Sequence, residues 1–177
     1  MSTLQRRKFW LILALSSFIF ELIGYFFFQK FLLLPLCEYC VYIRFSFLVI
    51  IFATLFVAIA PIYKTIRIIG SALALYASLH AIVWSFQYLS IIKIVSATPK
   101  APPRDLCSAT ANFPLGIPLD QWFPDFFAPI SICNEELWDL MGITMPEWII
   151  CIFASYIIIF LLAILADASR AFELLPN

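Results

Sequence analysis

Residues 37–60 read CEYCVYIRFSFLVIIFATLFVAIA: two cysteines three positions apart, one arginine, then an unbroken apolar run to Ala60. A bilayer's hydrocarbon core of roughly 30 Å is crossed by about 20 helical residues at 1.5 Å each. The run from Val41 to Ala60 has that length, so it reads as a membrane span with a cysteine pair at its mouth. Three further segments share its character, at about 9–28, 66–89 and 148–166. Composition agrees, with 64% hydrophobic and 12% charged residues. A soluble domain carries roughly 45–50% and about 25%. The expected fold is therefore all-α: an antiparallel bundle of four transmembrane helices, forming one membrane domain over residues 1–177.

Arg6, Arg7 and Lys8 precede the first run, as in a signal peptide. The run is longer than a signal's apolar region and lacks a small-x-small cleavage site, so a retained span is expected. The connections differ in kind. Residues 29–40 make a short loop, and 61–65 a tight turn opened by Pro61. Residues 90–147 form a long, Pro-rich loop holding most of the acids. Within it Trp122, Phe123, Phe126 and Phe127 stand beside Asp120, Gln121 and Asp125. That mixture predicts a short amphipathic helix lying on the membrane surface. Net charge is zero, from 11 basic and 11 acidic residues, which leaves no basic footprint for nucleic acid.

The basic residues orient the chain. Arg6, Arg7, Lys8, Lys64, Arg67 and Arg170 share one side, while Lys30, Lys93, Lys100 and Arg104 share the other. By the positive-inside rule both termini face the cytoplasm. The chain then crosses twice between Cys40 and Cys107, so the pairs Cys37/Cys40 and Cys107/Cys133 emerge on the same, non-cytoplasmic face, where disulfides persist.

A Cys-x-x-Cys serves either redox chemistry or zinc. Zinc wants four Cys or His ligands; the lone histidine, His80, lies within a span, which leaves the four loop cysteines as the alternative zinc set. A redox role has a physical basis: a helix N-terminus offers partial positive charge and unpaired N–H groups to a thiolate. The spacing of Cys37, Cys40 and Arg44 puts all three along one helix face, the cation one turn deeper. Arg44 reads as an anchor or packing partner, or as the group that stabilises charge on Cys40 and binds an acceptor oxygen. Cys107 and Cys133 read as a staple of the long loop, or as a second reactive pair. Glu21 and His80 sit within spans, either paired inside the bundle or moving protons; Cys151 reads as a packing thiol.

Taken in order, Cys37-Glu-Tyr-Cys40-Val-Tyr-Ile-Arg44, Cys107, Pro118-Leu-Asp-Gln-Trp122-Phe-Pro124, Cys133 with Trp138, and Gly142-Ile-Thr-Met145-Pro146-Glu-Trp148 closely resemble the bacterial disulfide bond formation protein B family (DsbB). The resemblance covers nearly the whole chain. It implies a quinone-dependent protein-disulfide oxidase of the bacterial inner membrane, with its redox loops periplasmic. A DsbA-like periplasmic thioredoxin-fold partner would attack a Cys107–Cys133 disulfide through Cys107. Cys133 would then engage Cys37, and Cys40 would pass the electrons to ubiquinone or menaquinone beside Arg44. Two departures stand out. Glu38 and Tyr39 are more polar than the family's intervening pair, and Glu38 is expected to oppose Arg44. Gln87 and Tyr88 stand near the outer end of the third span, where the resemblance implies a histidine. The rival readings are a non-catalytic scaffold braced by disulfides, and a small-quinone enzyme in the manner of vitamin K epoxide reductases.

Overall fold

A chain in hydrocarbon must satisfy its backbone N–H and C=O groups internally, so the four apolar runs become four long helices. The computed structural model describes residues 3–97, 110–113, 116–129 and 139–172. Helix α1 (Thr3–Leu22) continues without a break as a π-helix, Ile23–Phe31. Then come α2 (Glu38–Ile59), α3 (Lys64–Ala97), two single-turn helices α4 (Leu119–Trp122) and α5 (Pro124–Phe127), a hairpin of β1 (Asp139–Leu140) and β2 (Ile143–Thr144), and α6 (Met145–Phe172). All four long helices are apolar enough to cross a membrane. The protein is an all-α membrane bundle.

Helix α1 packs on α2, α2 on α3, and α3 on α6. The Tyr156 hydroxyl closes the ring, meeting Ser16 at 2.8 Å and Ser17 at 3.0 Å. Lipid tails are as apolar as Leu, so helices associate by close packing rather than by escaping water. Small residues accordingly face inward, among them Ala53, Ala74, Ala77, Ser78, Ala81 and Ser85. Large ones such as Ile12, Phe52 and Leu162 face out. A Cβ placed on Gly70 would overlap Val57 Cγ2 and approach the Ala53 carbonyl to 3.2 Å. Gly70→Ala is thus expected to push α2 and α3 apart and to cost about 1–3 kcal/mol of stability. An unchanged unfolding midpoint in detergent would contradict that close approach. At the far end of the bundle, Arg67 holds Asp167 through two 2.8 Å bonds and donates to the carbonyls of Pro61 and Ile62, tying the α2–α3 turn to α6.

Several sequence boundaries need correction. The first helix does not stop at Phe28: the π-helix carries it to Phe31, so Gln29 and Lys30 are helical and the connection to α2 shrinks to residues 32–37. Helix α3 runs to Ala97, past the expected end at 89. At 1.5 Å per residue its 34 residues extend about 51 Å, well beyond a 30 Å core. Helix α6 starts at Met145 because Glu147 accepts the Thr144 N–H and hydroxyl, each at 2.8 Å, as a capping box. The amphipathic helix is two turns, broken at Phe123 before Pro124. Only Trp122 and Phe123 of its aromatics face outward; Phe127 is buried. Cys151 also faces outward, so it is not packed between helices.

Candidate functional site

Cys37 caps α2. Its backbone is extended (φ −91°, ψ 163°), and its sulfur accepts the Cys40 N–H at 3.3 Å, the role Ser or Asp commonly plays. This cap brings the two sulfurs to 2.7 Å. Cys37 is only 3% exposed, packed against Ile91 with Tyr39 and Tyr88 around it. Burial pushes its thiol well above the ordinary range, the Cys40 sulfur adds to the rise, and the Tyr88 hydroxyl opposes part of it. At neutral pH, therefore, Cys37 is the sulfur of the pair that favours its thiol form.

Arg44 is buried as well, and its hydrogen bonds do not go to sulfur. One guanidinium nitrogen donates to Gln29 Oε1 at 2.7 Å and to the Phe126 carbonyl at 3.4 Å; the other donates to the Gly24 carbonyl at 2.8 Å. The Phe126 and Tyr25 rings lie 5.1 and 5.9 Å from the cation. Gln29 in turn donates to the Asp125 carbonyl at 2.7 Å. One cation thus joins α2 to the π-helix and to α5. π-helical segments recur at functional sites, and here the segment supplies both Gly24 and Gln29.

Cys40 and Arg44 meet across a cavity of about 380 Å³ between α1, α2 and α6. Its walls are mostly apolar, including Phe20, Phe47, Trp148, Ile152 and Leu140 of the hairpin. Small-molecule sites occupy roughly 300–1,000 Å³ and combine apolar walls with a few placed polar groups. The polar groups here are Cys40, Arg44, Gln29, Tyr88 and Glu21. Glu21 is 5% exposed, and neither carboxyl oxygen has a hydrogen-bond partner among the described residues. Such a buried, unsatisfied group costs on the order of 1–3 kcal/mol, and more if charged.

The structure brings together Cys37, Cys40 and Arg44, as the sequence leads one to expect. Cys107 and Cys133 lie outside the described residues. Glu21 faces the cavity instead of pairing within the bundle. His80 does not line it: its ring sits 4.4 Å from Tyr76 and 5.4 Å from Trp84. From α3 it is Tyr88, not Gln87, that reaches the cavity. Glu38, at the first turn of α2, is held by a neighbouring side chain. Its carboxylate accepts the Tyr42 hydroxyl at 2.9 Å, and that hydroxyl accepts the Asn112 N–H, also at 2.9 Å. Sequence reasoning missed Gln29 and the Gly24 carbonyl, and left open which of Gln87 and Tyr88 turns inward. A polar side chain at the end of an apolar run was the available signal for Gln29.

Comparison with known proteins agrees with this architecture. The family model described as "Disulfide bond formation protein DsbB" matches residues 6–163. A "Disulfide bond formation protein B" of Haemophilus influenzae (strain 86-028NP) is 33% identical over 166 residues, covering 94% of this chain and 90% of that protein. One of Yersinia pestis (strain Pestoides F), with the same name, is 33% identical over 163 residues, covering 91% and 87%. A Shewanella oneidensis relative carrying the name DsbI is 33% identical over 163 residues, covering 86% and 76%. With a near-complete family match, four spans and a Cys-x-x-Cys capping the second, the chain belongs to the disulfide bond formation protein DsbB family.

Proposed function

We propose that this membrane disulfide oxidoreductase reoxidises a periplasmic DsbA-type protein and delivers the electrons to a membrane quinone, ubiquinone or menaquinone. The observation that carries the reading is the shared cavity: Cys40, a buried cation and apolar walls meet in one space large enough for a substituted ring. A quinone bound there supplies a two-electron, two-proton acceptor. Arg44 is held by the Gly24 carbonyl and Gln29, so its charge is fixed where negative charge develops on Cys40 and on an acceptor oxygen. Cys37, protonated and in contact with Cys40, closes the disulfide as the electrons leave. Cys107 and Cys133 are the pair that exchanges with the partner, through Cys107 first. In this reading the cysteine end of the bundle faces the periplasm of the bacterial inner membrane, and both termini face the cytoplasm.

The need for such an acceptor is energetic. DsbA, an established example of a strongly oxidising protein, lies near −120 mV, while structural disulfides lie below about −300 mV. Oxidising the first with the second runs uphill by about 180 mV, or roughly 8 kcal/mol for two electrons. A protein disulfide alone cannot drive that, whereas a respiratory quinone can. The test uses purified protein, a reduced DsbA-type partner and a defined quinone. Quinol is expected to form in step with partner oxidation. A protein that leaves the partner reduced under these conditions acts as a scaffold. One that consumes small quinones with a chemical thiol but ignores the partner acts in the manner of a vitamin K epoxide reductase.

A further inference from the structure

Glu21 is a carboxyl of the cavity wall that the proposed relay leaves unused. It lies on α1 three residues before Gly24, whose carbonyl holds Arg44. Since α1 runs towards the cysteine end, Glu21 sits about 4.5 Å deeper than that carbonyl. The polar groups are therefore strung along the cavity: Cys40 at the outer end, Arg44 next, Glu21 innermost. The other titratable or charged groups facing the space are Arg44 and Cys40 from α2 and Tyr88 from α3, while α6 contributes only apolar side chains such as Trp148 and Ile152. Arg44 is near enough for electrostatic interaction, yet no hydrogen bond joins the two among the described residues. A carboxyl placed so, buried and without a hydrogen-bond partner among the described residues, has both oxygens available to whatever occupies the cavity.

We propose that Glu21 is the acid that protonates the inner oxygen of the bound acceptor, a role that rests on the quinone reading above. As the Cys37–Cys40 bond forms, two electrons leave the sulfurs for the acceptor, and two protons follow. Glu21 transfers one of them through its carboxyl oxygen. It then takes up a proton from the pool that the two thiols release. Two thiol hydrogens are lost and two hydroxyl hydrogens are gained, so Glu21 ends the cycle protonated.

The test compares the wild-type protein with Glu21→Gln and Glu21→Asp in lipid nanodiscs. Infrared difference spectra, recorded with and without ubiquinone and without any partner, are expected to show a protonated-carboxyl stretch that shifts on binding. That band should be missing in Glu21→Gln. In steady-state turnover with a reduced partner and varied quinone, Glu21→Gln is expected to lose roughly 10²-fold in kcat, the usual yield of a positioned acid. Its quinone KM should stay within about 3-fold, and Glu21→Asp should recover part of the rate. A carboxyl band insensitive to ubiquinone would overturn the assignment even if Glu21→Gln failed to fold. So would a Glu21→Gln variant at wild-type kcat, or a loss confined to KM. If the wild-type protein forms no quinol from a reduced partner, the quinone reading fails and Glu21's role goes with it. If the wild-type and Glu21→Gln proteins turn over alike, only the acid is wrong.

Discussion

Replacing Cys40 by Ser is expected to slow quinol formation by about a thousand-fold or more, roughly 4 kcal/mol of barrier, while the helices stay folded. Cys40 supplies the sulfur that lines the cavity. A hydroxyl in its place is a poor nucleophile and cannot form the bond to Cys37. The fold should tolerate the change because the cap of α2 is made by the Cys37 sulfur and the Cys40 backbone N–H, both retained. Quinol absorbance would follow the chemistry and circular dichroism the fold. Exchange between a reduced partner and the Cys107/Cys133 pair should continue in the same preparation. Quinol forming at more than a tenth of the wild-type rate would remove Cys40 from the pathway.

Arg44→Met is expected to raise the quinone KM by about 10–100-fold and also to loosen the outer end of the bundle. Hydrogen bonds to a charged group contribute roughly 1.5–3 kcal/mol each, and Arg44 makes three, to Gln29, Gly24 and Phe126. Removing it also leaves the Gly24 carbonyl without that donor, in surroundings where water is scarce. Arg44→Lys keeps the charge but lacks the planar fork that spans these acceptors, so it should fall between wild type and Met. Steady-state kinetics with varied quinone would resolve the order. If Lys and Met behave alike, charge is not what the site uses; if neither changes KM, Arg44 serves packing alone.

The fold was largely legible because the sequence encodes it by length and polarity. Twenty apolar residues admit one solution in lipid, and the four runs took it. The cysteine pair at the mouth of α2 was legible from its place before the apolar run; that Cys37 would leave the helix face and cap the first turn with its sulfur was not, because the spacing fits either position. What escaped was register. Hydropathy cannot show that the chain passes from α to π geometry after Leu22, because Phe26, Phe27 and Phe28 are equally apolar in either form. Gln29 therefore looked like a loop residue, although it holds Arg44. The aromatics near 122–127 were legible as amphipathic but not by side: Pro124 resets the helix, which sends Trp122 outward and Phe127 inward. Glu21 was visible as an acid within a span. Its direction was not, since facing a cavity and facing a neighbouring helix leave the same sequence.

The unequal settings of the two neighbouring sulfurs have a kinetic corollary. A molecule that enters the cavity meets the Cys40 sulfur in its wall, whereas Ile91 and the tyrosines stand over Cys37. A greasy alkylating reagent should accordingly mark the later residue of the pair before the earlier one. One-way traffic through the dithiol then requires no steep gradient of potential between the two sulfurs, only that they be unequally accessible from the cavity.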